Sequence, residues 1–402
     1  MHDVIIVGAR CAGAALGLML ARSGLRVLMV DRARFPSDTM SGHYIHPAGI
    51  SCLDRLGLLE QLEATGTPRQ DVVTVDFGSV ALTGTPAPAV DGTVAGYAPR
   101  RFIFDDMLAG AAVEAGAELW QGVTFLGPLV EHDRVVGITG VTRSGSRIEL
   151  RARLVVGADG KRSRVAETVG ATRYNVNAAT ACTWYAYWSG FDAPHTRLFV
   201  RDGRFCVVAP TNEGLTFLGI VWPIGQFRQV RADIEAAYRA AAAEIPWIGD
   251  RLSAATQAQR FVGTQDLDGF LRTPWGPGWA LVGDAGYHKD PITAQGMTDA
   301  LLHAELLAQA VVTGLSGARP LAAALGEYGR RRDASAGPMY ALTNDMARLA
   351  PPTPEMAALV GALQGNGDGI RRFLGVISGT VPIAEFFAPE SLGAIMGTGM
   401  AA

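Results

Sequence analysis

Apolar and polar positions at the N terminus follow two different periods, which predicts a strand, a helix and a second strand. Residues 3–7 and 26–30 are short apolar runs that favour buried strands, and residues 12–23 carry the longer apolar period of a helix. A turn that contains glycine separates the first strand from the helix. A βαβ unit of this kind is typical of α/β folds with a parallel sheet.

Two further helices and a third strand are predicted in the first half of the chain. Apolar residues recur at helical spacing over residues 47–64 and 101–115, and residues 154–157 form another apolar run. From about residue 180 to 261 the pattern changes to long aromatic and β-branched stretches, with turn residues at 202–203 and 212–214. This region predicts an antiparallel sheet.

The last third of the chain returns to the α/β pattern. A strand is predicted at residues 279–282, helices near 293–313 and 321–340, and then a helical tail punctuated by Gly and Pro. We therefore expect an α/β fold in which a discontinuous, Rossmann-like nucleotide-binding domain carries an inserted antiparallel β-sheet domain that binds the substrate. The predicted ranges are 1–75, 95–175 and 265–345 for the first domain, 76–94 and 176–264 for the second, and 346–402 for a C-terminal helical segment.

Composition narrows the possible partners. The 402 residues carry a net charge of −3, and the 35 Lys and Arg residues are scattered without a run, so we expect no nucleic-acid partner. The four cysteines lie far apart, the seven histidines lack paired spacing, and no secretory leader is recognisable, which predicts a cytoplasmic protein without a metal site. Polar residues interrupt the uncharged stretches, so we expect no membrane span.

The first turn has part of a dinucleotide-binding fingerprint. Gly8 and Gly13 hold the first and third glycine positions of GxGxxG, and Arg10 stands at the second, where it could supply charge to a phosphate. Asp31 ends the second strand, where an acidic residue can bind an adenosine ribose, and Arg32 follows it. A structural turn without a ligand is the alternative, and this fingerprint alone does not separate FAD from NAD.

Three later segments carry a family resemblance. Residues 155–160 (VVGADG), followed by Ser163, resemble the DG motif of class A flavoprotein monooxygenases, the family with the p-hydroxybenzoate hydroxylase fold. Residues 283–300 resemble the GD motif of that family, and residues 101–105 (RFIFD) resemble its RxxLD-like segment. The resemblance implies bound FAD and NAD(P)H as a transient electron donor without a domain of its own.

The resemblance also implies roles for single residues. Arg101 would contact the FAD chain, Asp159 would contact FAD and NAD(P)H, and Asp284 would accept a hydrogen bond from a ribityl hydroxyl. A surface salt bridge is the alternative role for Arg101, and a helix or loop cap is the alternative for Asp284. The start of the next helix would place its partial positive charge near the pyrimidine end of the flavin. The further cofactor residues implied by the GD motif are Gly283, Pro291, Gln295, Gly296 and Met297.

Candidate catalytic and substrate residues come from two other regions. His43 and His46 lie where the resemblance brings the chain near the flavin, and His288 and Asp290 belong to a titratable cluster inside the GD segment. Each could instead be a turn or cap residue. The candidate wall for a hydrophobic substrate comes from the predicted sheet, where core packing is the alternative role; its members are Trp184, Tyr185, Tyr187, Trp188, Phe205, Phe217 and Trp222.

The resemblance implies an FAD-dependent monooxygenase. NAD(P)H would reduce the flavin, O2 would add at its C4a position, and the hydroperoxide would oxygenate a hydrophobic, aromatic or natural-product-like molecule by hydroxylation or epoxidation. A double-bond reductase of the geranylgeranyl-reductase type is the alternative. A halogenase is disfavoured because related halogenases use a lysine in the substrate half, whereas this chain has only Lys161 and Lys289 and lacks WxWxIP. A flavin-binding module without turnover is the remaining reading, and the oligomeric state stays open.

Overall fold

A computed structural model describes residues 1–399. The strands are β1 (His2–Val7), β2 (Val27–Asp31), β3 (Arg69–Gln70), β4 (Val73–Asp76), β5 (Ala81–Gly84), β6 (Gly96–Tyr97), β7 (Glu118–Gln121), β8 (Val123–Glu131), β9 (Arg134–Thr142), β10 (Arg147–Gly157), β11 (Arg173–Asn177), β12 (Ala181–Ser189), β13 (Thr196–Arg201), β14 (Arg204–Pro210), β15 (Leu215–Pro223), β16 (Thr256–Gln257), β17 (Val262–Thr264), β18 (Gly269–Arg272), β19 (Trp275–Gly276), β20 (Trp279–Leu281) and β21 (Tyr287–His288).

The helices lie between these strands and after the last of them. They are α1 (Cys11–Arg22), α2 (Pro47–Arg55), α3 (Leu59–Ala64), α4 (Arg101–Glu114), α5 (Arg164–Thr168), α6 (Phe227–Ala232), α7 (Ile234–Ala243), α8 (Pro246–Ala254), α9 (Gly296–Leu315), α10 (Leu321–Met346), α11 (Pro354–Leu363), α12 (Gly367–Ser378), α13 (Ile383–Phe386) and α14 (Pro389–Gly399). Short 3-10 turns cover Gly283–Ala285 and Pro291–Thr293. None of the helices described in residues 1–399 combines enough length and apolar character to cross a bilayer.

The nucleotide-binding half is a sheet in the order β19-β20-β10-β1-β2-β7, parallel except for β19. Its central strands carry apolar runs at residues 4–7, 27–30 and 154–156, because helices cover one face and a β8-β9-β10 meander with α5 covers the other. Helices α1, α4 and α9 share the first face. This arrangement brings the starts of α1 and α9 to the carboxyl ends of the strands, where α/β proteins bind ligands.

The second layer is a large sheet in the order β16-β12-β15-β14-β13-β4-β5, in which β17 also pairs with β12. All its pairs are antiparallel except β13 with β4. Residues 73–84 join this sheet, so its N-terminal contribution begins three residues before the predicted boundary at residue 76. The predicted combination of a Rossmann-like domain, a β-sheet domain and C-terminal helices is confirmed.

Several predicted elements differ from the structure for identifiable reasons. The single helix predicted over 47–64 is two helices, because Gly57 adopts φ +64° after α2 ends. The helix predicted from residue 293 begins only at Gly296, because Ala294 is left-handed with φ +53°. Residues 227–254, predicted as part of a sheet, form α6, α7 and α8 instead; alanine repeats over 236–243 and Pro246 at a helix start favour this outcome.

The C-terminal helices lie at the far edge of the large sheet. Side chains of α11 and α12, such as Leu359 and Phe373, pack with Val75 and Leu82 of β4 and β5 in one apolar cluster. The Thr380 hydroxyl donates a hydrogen bond to the carbonyl of Ala87, 2.6 Å away. The helical tail thus closes the large sheet on the side opposite to β16.

Candidate active site

The turn between β1 and α1 has the geometry of a phosphate-binding loop. Gly8 has a φ of +101°, and a Cβ atom added to it would lie 2.4 Å from the Ala158 carbonyl oxygen. A Cβ atom added to Gly13 would lie 1.8 Å from the Gly8 carbonyl oxygen. No side chain among the described residues caps α1, so its first-turn amides remain available to an anion.

A buried carboxylate organises the charges beside this turn. Asp105 is fully buried and accepts hydrogen bonds from Arg10 at 2.7 Å and from Arg101 at 2.9 Å. The Cys11 sulfur lies 3.2 Å from the same carboxylate, and burial raises the pKa of that thiol, which makes it unreactive. Arg10 also donates to the carbonyl of Ser37, so it joins the phosphate turn to the segment that follows β2.

The contacts of Asp31 indicate a structural role, whereas Arg32 has no described contact that indicates one. Both carboxylate oxygens of Asp31 accept backbone amides, from Ala9 at 2.8 Å and from Ala33 at 2.8 Å. Asp31 therefore shapes the phosphate turn, and its predicted contact with a ribose stays a prediction. Arg32 is exposed and makes no side-chain hydrogen bond within residues 1–399.

Asp159 has the partners that sequence alone did not reveal. Its carboxylate accepts the hydroxyl of Ser163 at 2.5 Å and the amides of Arg164 and Val165 at 2.7 and 3.1 Å. These contacts cap α5, and burial raises the pKa of Asp159 even though the hydrogen bonds oppose that shift. The side chain therefore orders the DG turn, and the predicted contacts with FAD and NAD(P)H stay a prediction.

The GD segment presents open space to a ligand. The Asp284 side chain is exposed and makes no hydrogen bond within the described chain, and Gly283 beside it needs its positive φ of +60°. A Cβ atom added to Gly296, the first residue of α9, would meet no atom within 4 Å. No side chain from residues 1–399 caps α9. An exposed carboxylate, two uncapped helix N termini and Arg101 fit the polar groups of FAD.

The neighbouring residues of the GD segment face different structures. The Gln295 amide donates to the carbonyl of Ile377 at 2.9 Å, so its side chain holds the C-terminal tail and only its backbone can face the cofactor. The Met297 sulfur lies 3.9 Å from the Ser41 hydroxyl, and a Cβ atom added to Gly42 would lie 3.9 Å from Pro291. The segment after β2 therefore runs along the start of α9.

The large sheet turns one aromatic face toward that segment. Tyr185, Tyr187 and Phe217 lie on this face, and the His43 ring sits among them with ring-centre distances of 5.5 Å to Tyr185 and to Phe217. The Tyr187 hydroxyl is hydrogen-bonded to Nε2 of His43. Burial, together with the nearby Arg101 and Arg100, lowers the pKa of His43 to about 3, so the ring is neutral at physiological pH.

Three of the predicted substrate residues lie on the opposite face. Trp184, Trp188 and Trp222 pack in an apolar core with Tyr238 of α7, and Trp188 stacks on Tyr238 at 6.0 Å. Side chains alternate between the two faces of a strand, and residues of α6, α7 and α8 pack against this face. These contacts fit the alternative role of core packing for the three tryptophans, and a substrate contact of any of them stays a prediction.

Phe205 lies on the same face of the large sheet as Phe217, but it does not belong to the cluster around His43. It packs in a separate buried group with Ile292 of the GD segment and Leu349 after α10. Phe205 thus helps to hold the large sheet against the GD segment. A substrate contact of Phe205 stays a prediction.

His46 and His288 make structural contacts in this state. Nε2 of His46 donates to the Thr293 carbonyl at 3.0 Å, and burial lowers the pKa of His46 to about 4. Nδ1 of His288 donates to the Asp268 carbonyl at 2.8 Å, and its ring stacks on Phe270. Burial lowers the pKa of His288 as well. Both rings position the GD segment, and their catalytic roles stay predictions.

Lys289 and Asp290, the neighbours of His288 in the GD segment, have separate partners. Lys289 forms a buried ion pair with Asp299 and contacts the Tyr287 hydroxyl at 3.1 Å. Asp290 accepts the Ile292 amide at 2.9 Å with one oxygen, while its other oxygen is buried without a partner in the described residues. Burial raises the pKa of Asp290 to about 6.

Two arginines at the site were not found by sequence reasoning. The Arg100 guanidinium lies 4.8 Å from the ring centre of Tyr187, next to the aromatic face. Arg332 of α10 is 1% exposed and donates to the carbonyls of Gly286 and Arg272 at 3.2 and 2.9 Å, which anchors the chain after the GD turn. Neither belongs to a recognisable motif, so only the tertiary structure reveals them.

Known proteins share this architecture. The family model described as "FAD binding domain" matches residues 1–342. Digeranylgeranylglycerophospholipid reductase of Methanocella arvoryzae is 26% identical over 342 residues, covering 81% of each chain. The structure of a myxobacterial chondrochloren halogenase superposes with a TM-score of 0.80 at 23% identity, covering 99% of this chain and 97% of that one. A probable FAD-dependent monooxygenase from Pseudomonas aeruginosa superposes with a TM-score of 0.71 at 22% identity, covering 93% and 99%.

These likenesses agree with the site. The two structural matches share the fold, and the family model spans both uncapped helix N termini and the Asp284 turn. The predicted cofactor, FAD, is therefore confirmed. The chain belongs to the FAD binding domain family and is an FAD-dependent oxidoreductase of the class A flavoprotein type.

Proposed function

We propose that the protein is an FAD-dependent monooxygenase that hydroxylates or epoxidises a hydrophobic, aromatic or natural-product-like small molecule with NAD(P)H and O2. The observation that carries the proposal is the aromatic face of Tyr185, Tyr187 and Phe217, which is 6% exposed or less and borders the segment along the start of α9. A dry aromatic wall beside a flavin suits oxygen transfer to an apolar ring.

The residues divide the work of such a reaction. When bound, FAD would accept electrons from NAD(P)H and pass them to O2. The α1 amides and Arg101 would hold its phosphates, and Asp284 would hold its ribityl chain. The N terminus of α9 would stabilise negative charge on the reduced ring. The aromatic face would orient the substrate and exclude water.

The lysines argue against halogenation. Lys161 lies 2.7 Å from carboxylate oxygens of Asp266 and of Asp268, and Lys289 pairs with Asp299. Neither lysine lies on the large sheet. The related halogenases that the sequence resembles use a lysine in the substrate half, and arginine cannot replace it because its guanidinium stays protonated.

A double-bond reductase is the second candidate. The 26% identity with a digeranylgeranylglycerophospholipid reductase over most of both chains favours it, and the same apolar wall could hold an isoprenoid. The two candidates differ in their need for oxygen. A monooxygenase consumes O2 in step with the product, whereas a reductase works without it.

The test is a screen of small molecules for those that accelerate NAD(P)H oxidation by the FAD-loaded protein. Each active compound is then assayed in air and under anaerobic conditions. We expect product only in air, with O2 uptake matching product. Undiminished product without O2 would replace the monooxygenase proposal with the reductase.

A further inference from the structure

Residues 37–44, between β2 and α2, are held to the rest of the protein by side-chain contacts rather than by backbone hydrogen bonds. Among the described backbone-to-backbone hydrogen bonds, none involves residues 37–44. Met40 is 47% exposed, whereas His43 is 1% exposed. Segments with few backbone hydrogen bonds open at low free-energy cost. His43 is therefore one of the few side chains that hold this segment, together with the buried Tyr44 and the hydrogen bonds from Arg10 to Ser37.

The His43 side chain lies among three aromatic rings of the large sheet. The His43 imidazole lies edge-on to Tyr185 and Phe217, with interplanar angles of 87° and 84°, and 5.6 Å from the ring centre of Tyr187. We call the three rings Tyr185, Tyr187 and Phe217 the aromatic cage. Edge-to-face contacts at these distances are favourable for any planar ring and do not require histidine.

We call the arrangement with His43 inside the aromatic cage the closed state. In this state Nδ1 of His43 has no hydrogen-bond partner among the described residues. The Tyr187 hydroxyl bonds Nε2 of His43. A neutral imidazole carries its proton on one of its two ring nitrogens, so the unpartnered Nδ1 is either an unpaired donor or an unpaired acceptor. Nδ1 is buried without a partner in the described residues, and His43 has a φ of +55°. Both features disfavour the closed position and make His43 easier to displace.

We propose that the aromatic cage is a ligand subsite which His43 fills in the closed state and which a planar aromatic ring of the substrate fills after His43 is expelled. The incoming ring would present a hydrogen-bonding nitrogen or oxygen to the Tyr187 hydroxyl, in place of Nε2 of the imidazole. The Arg100 guanidinium lies 4.8 Å from the ring centre of Tyr187 and is paired with Glu213. Its charge disfavours a cationic ring, so we expect the ligand ring to be neutral or anionic. This inference rests on the proposed function, because it takes the ligand of the aromatic cage to be the substrate of that reaction.

The experiment uses benzimidazole, a planar ring with an acceptor nitrogen, as the probe on FAD-loaded protein. Diethyl pyrocarbonate labels exposed histidines, and peptide mass spectrometry measures the labelling rate of each one. We expect saturating benzimidazole to raise labelling of His43 by about ten-fold or more, because expulsion moves the ring from buried to exposed. His46 and His303, also buried, are internal controls and should stay unlabelled.

A variant provides the second readout. His43→Gly removes the imidazole, and glycine tolerates the positive φ, so the fold is retained. Its affinity for benzimidazole should exceed that of the wild type by about ten-fold or more, because no side chain competes for the cage. Labelling of His43 that stays constant or falls, or an affinity that is unchanged, weaker or undetectable in His43→Gly, overturns the proposal. Oxygen consumption is not measured, so failure of the monooxygenase proposal would leave this result standing.

Discussion

Gly296→Ala separates cofactor binding from folding. Gly296 is the exposed first residue of α9, its φ lies outside the left-handed region, and a Cβ atom added there would meet no protein atom within 4 Å. The protein alone therefore has room for alanine. If the flavin lies against the start of α9, the same methyl group enters the space that the cofactor occupies.

The two effects have opposite signs. Alanine in place of glycine in a helix stabilises the fold by up to about 1 kcal/mol. Forcing one extra methyl group into a well-packed contact costs roughly 1–3 kcal/mol, which corresponds to FAD binding that is weaker by about 5-fold to 150-fold. The FAD-free protein should thus melt at the same or a higher temperature, while its affinity for FAD falls.

Gly110→Ala is the matched control. Gly110 lies within α4, and a Cβ atom added there also meets nothing within 4 Å. This variant should gain helix stability and bind FAD like the wild type. Thermal unfolding of FAD-free protein and titration with FAD, followed by flavin fluorescence, measure both quantities. Wild-type FAD affinity in Gly296→Ala would show that the flavin does not lie against α9.

Further predictions follow from the same site. Gly8→Ala should unfold more readily than Gly160→Ala by about 1–3 kcal/mol, because both glycines have positive φ but only Gly8 would place its Cβ against Ala158; equal melting temperatures would contradict this. Asp284→Asn should weaken FAD binding by about 10-fold to 150-fold in an FAD titration, the loss expected for a hydrogen bond to a charged acceptor, and should leave the melting temperature of FAD-free protein unchanged. Burial raises the pKa of Asp290 to about 6, above an unfolded value of about 3.9, so its protonated form stabilises the fold at low pH and that stability is lost as pH rises through this window. Relative to Asp290→Asn, the wild type should lose up to about 3 kcal/mol of unfolding free energy between about pH 4 and pH 7 in urea titrations, and a constant difference would refute the shift.

The fold was largely predictable from local patterns. The βαβ start is confirmed to within a residue at each end, because its strands are buried on both faces and read as continuous apolar runs. The helices at 227–254 were missed because aromatic residues such as Phe227 and Trp247 are typical of strands but here face a shared core. Tertiary packing decided the outcome there.

The site was predictable where a motif exists and not elsewhere. Gly8, Gly13 and Asp284 belong to recognisable spacings, and their geometry suits the expected cofactor. The division of the substrate wall depends on which face the helices cover, and strand alternation alone does not say which face that is. The contact between His43 and Tyr187 joins residues that are 144 positions apart, and no local pattern reports such a pairing.

The most direct test of the monooxygenase assignment is the fate of isotopically labelled O2. The FAD-loaded protein is supplied with NAD(P)H, labelled O2 and a compound from the screen that accelerates NAD(P)H oxidation. Chloride and bromide are both present, and the mass of the product is measured by mass spectrometry. We predict one labelled oxygen atom in each product molecule and no halogen. A product that carries no label, whether halogenated or reduced, would contradict the assignment.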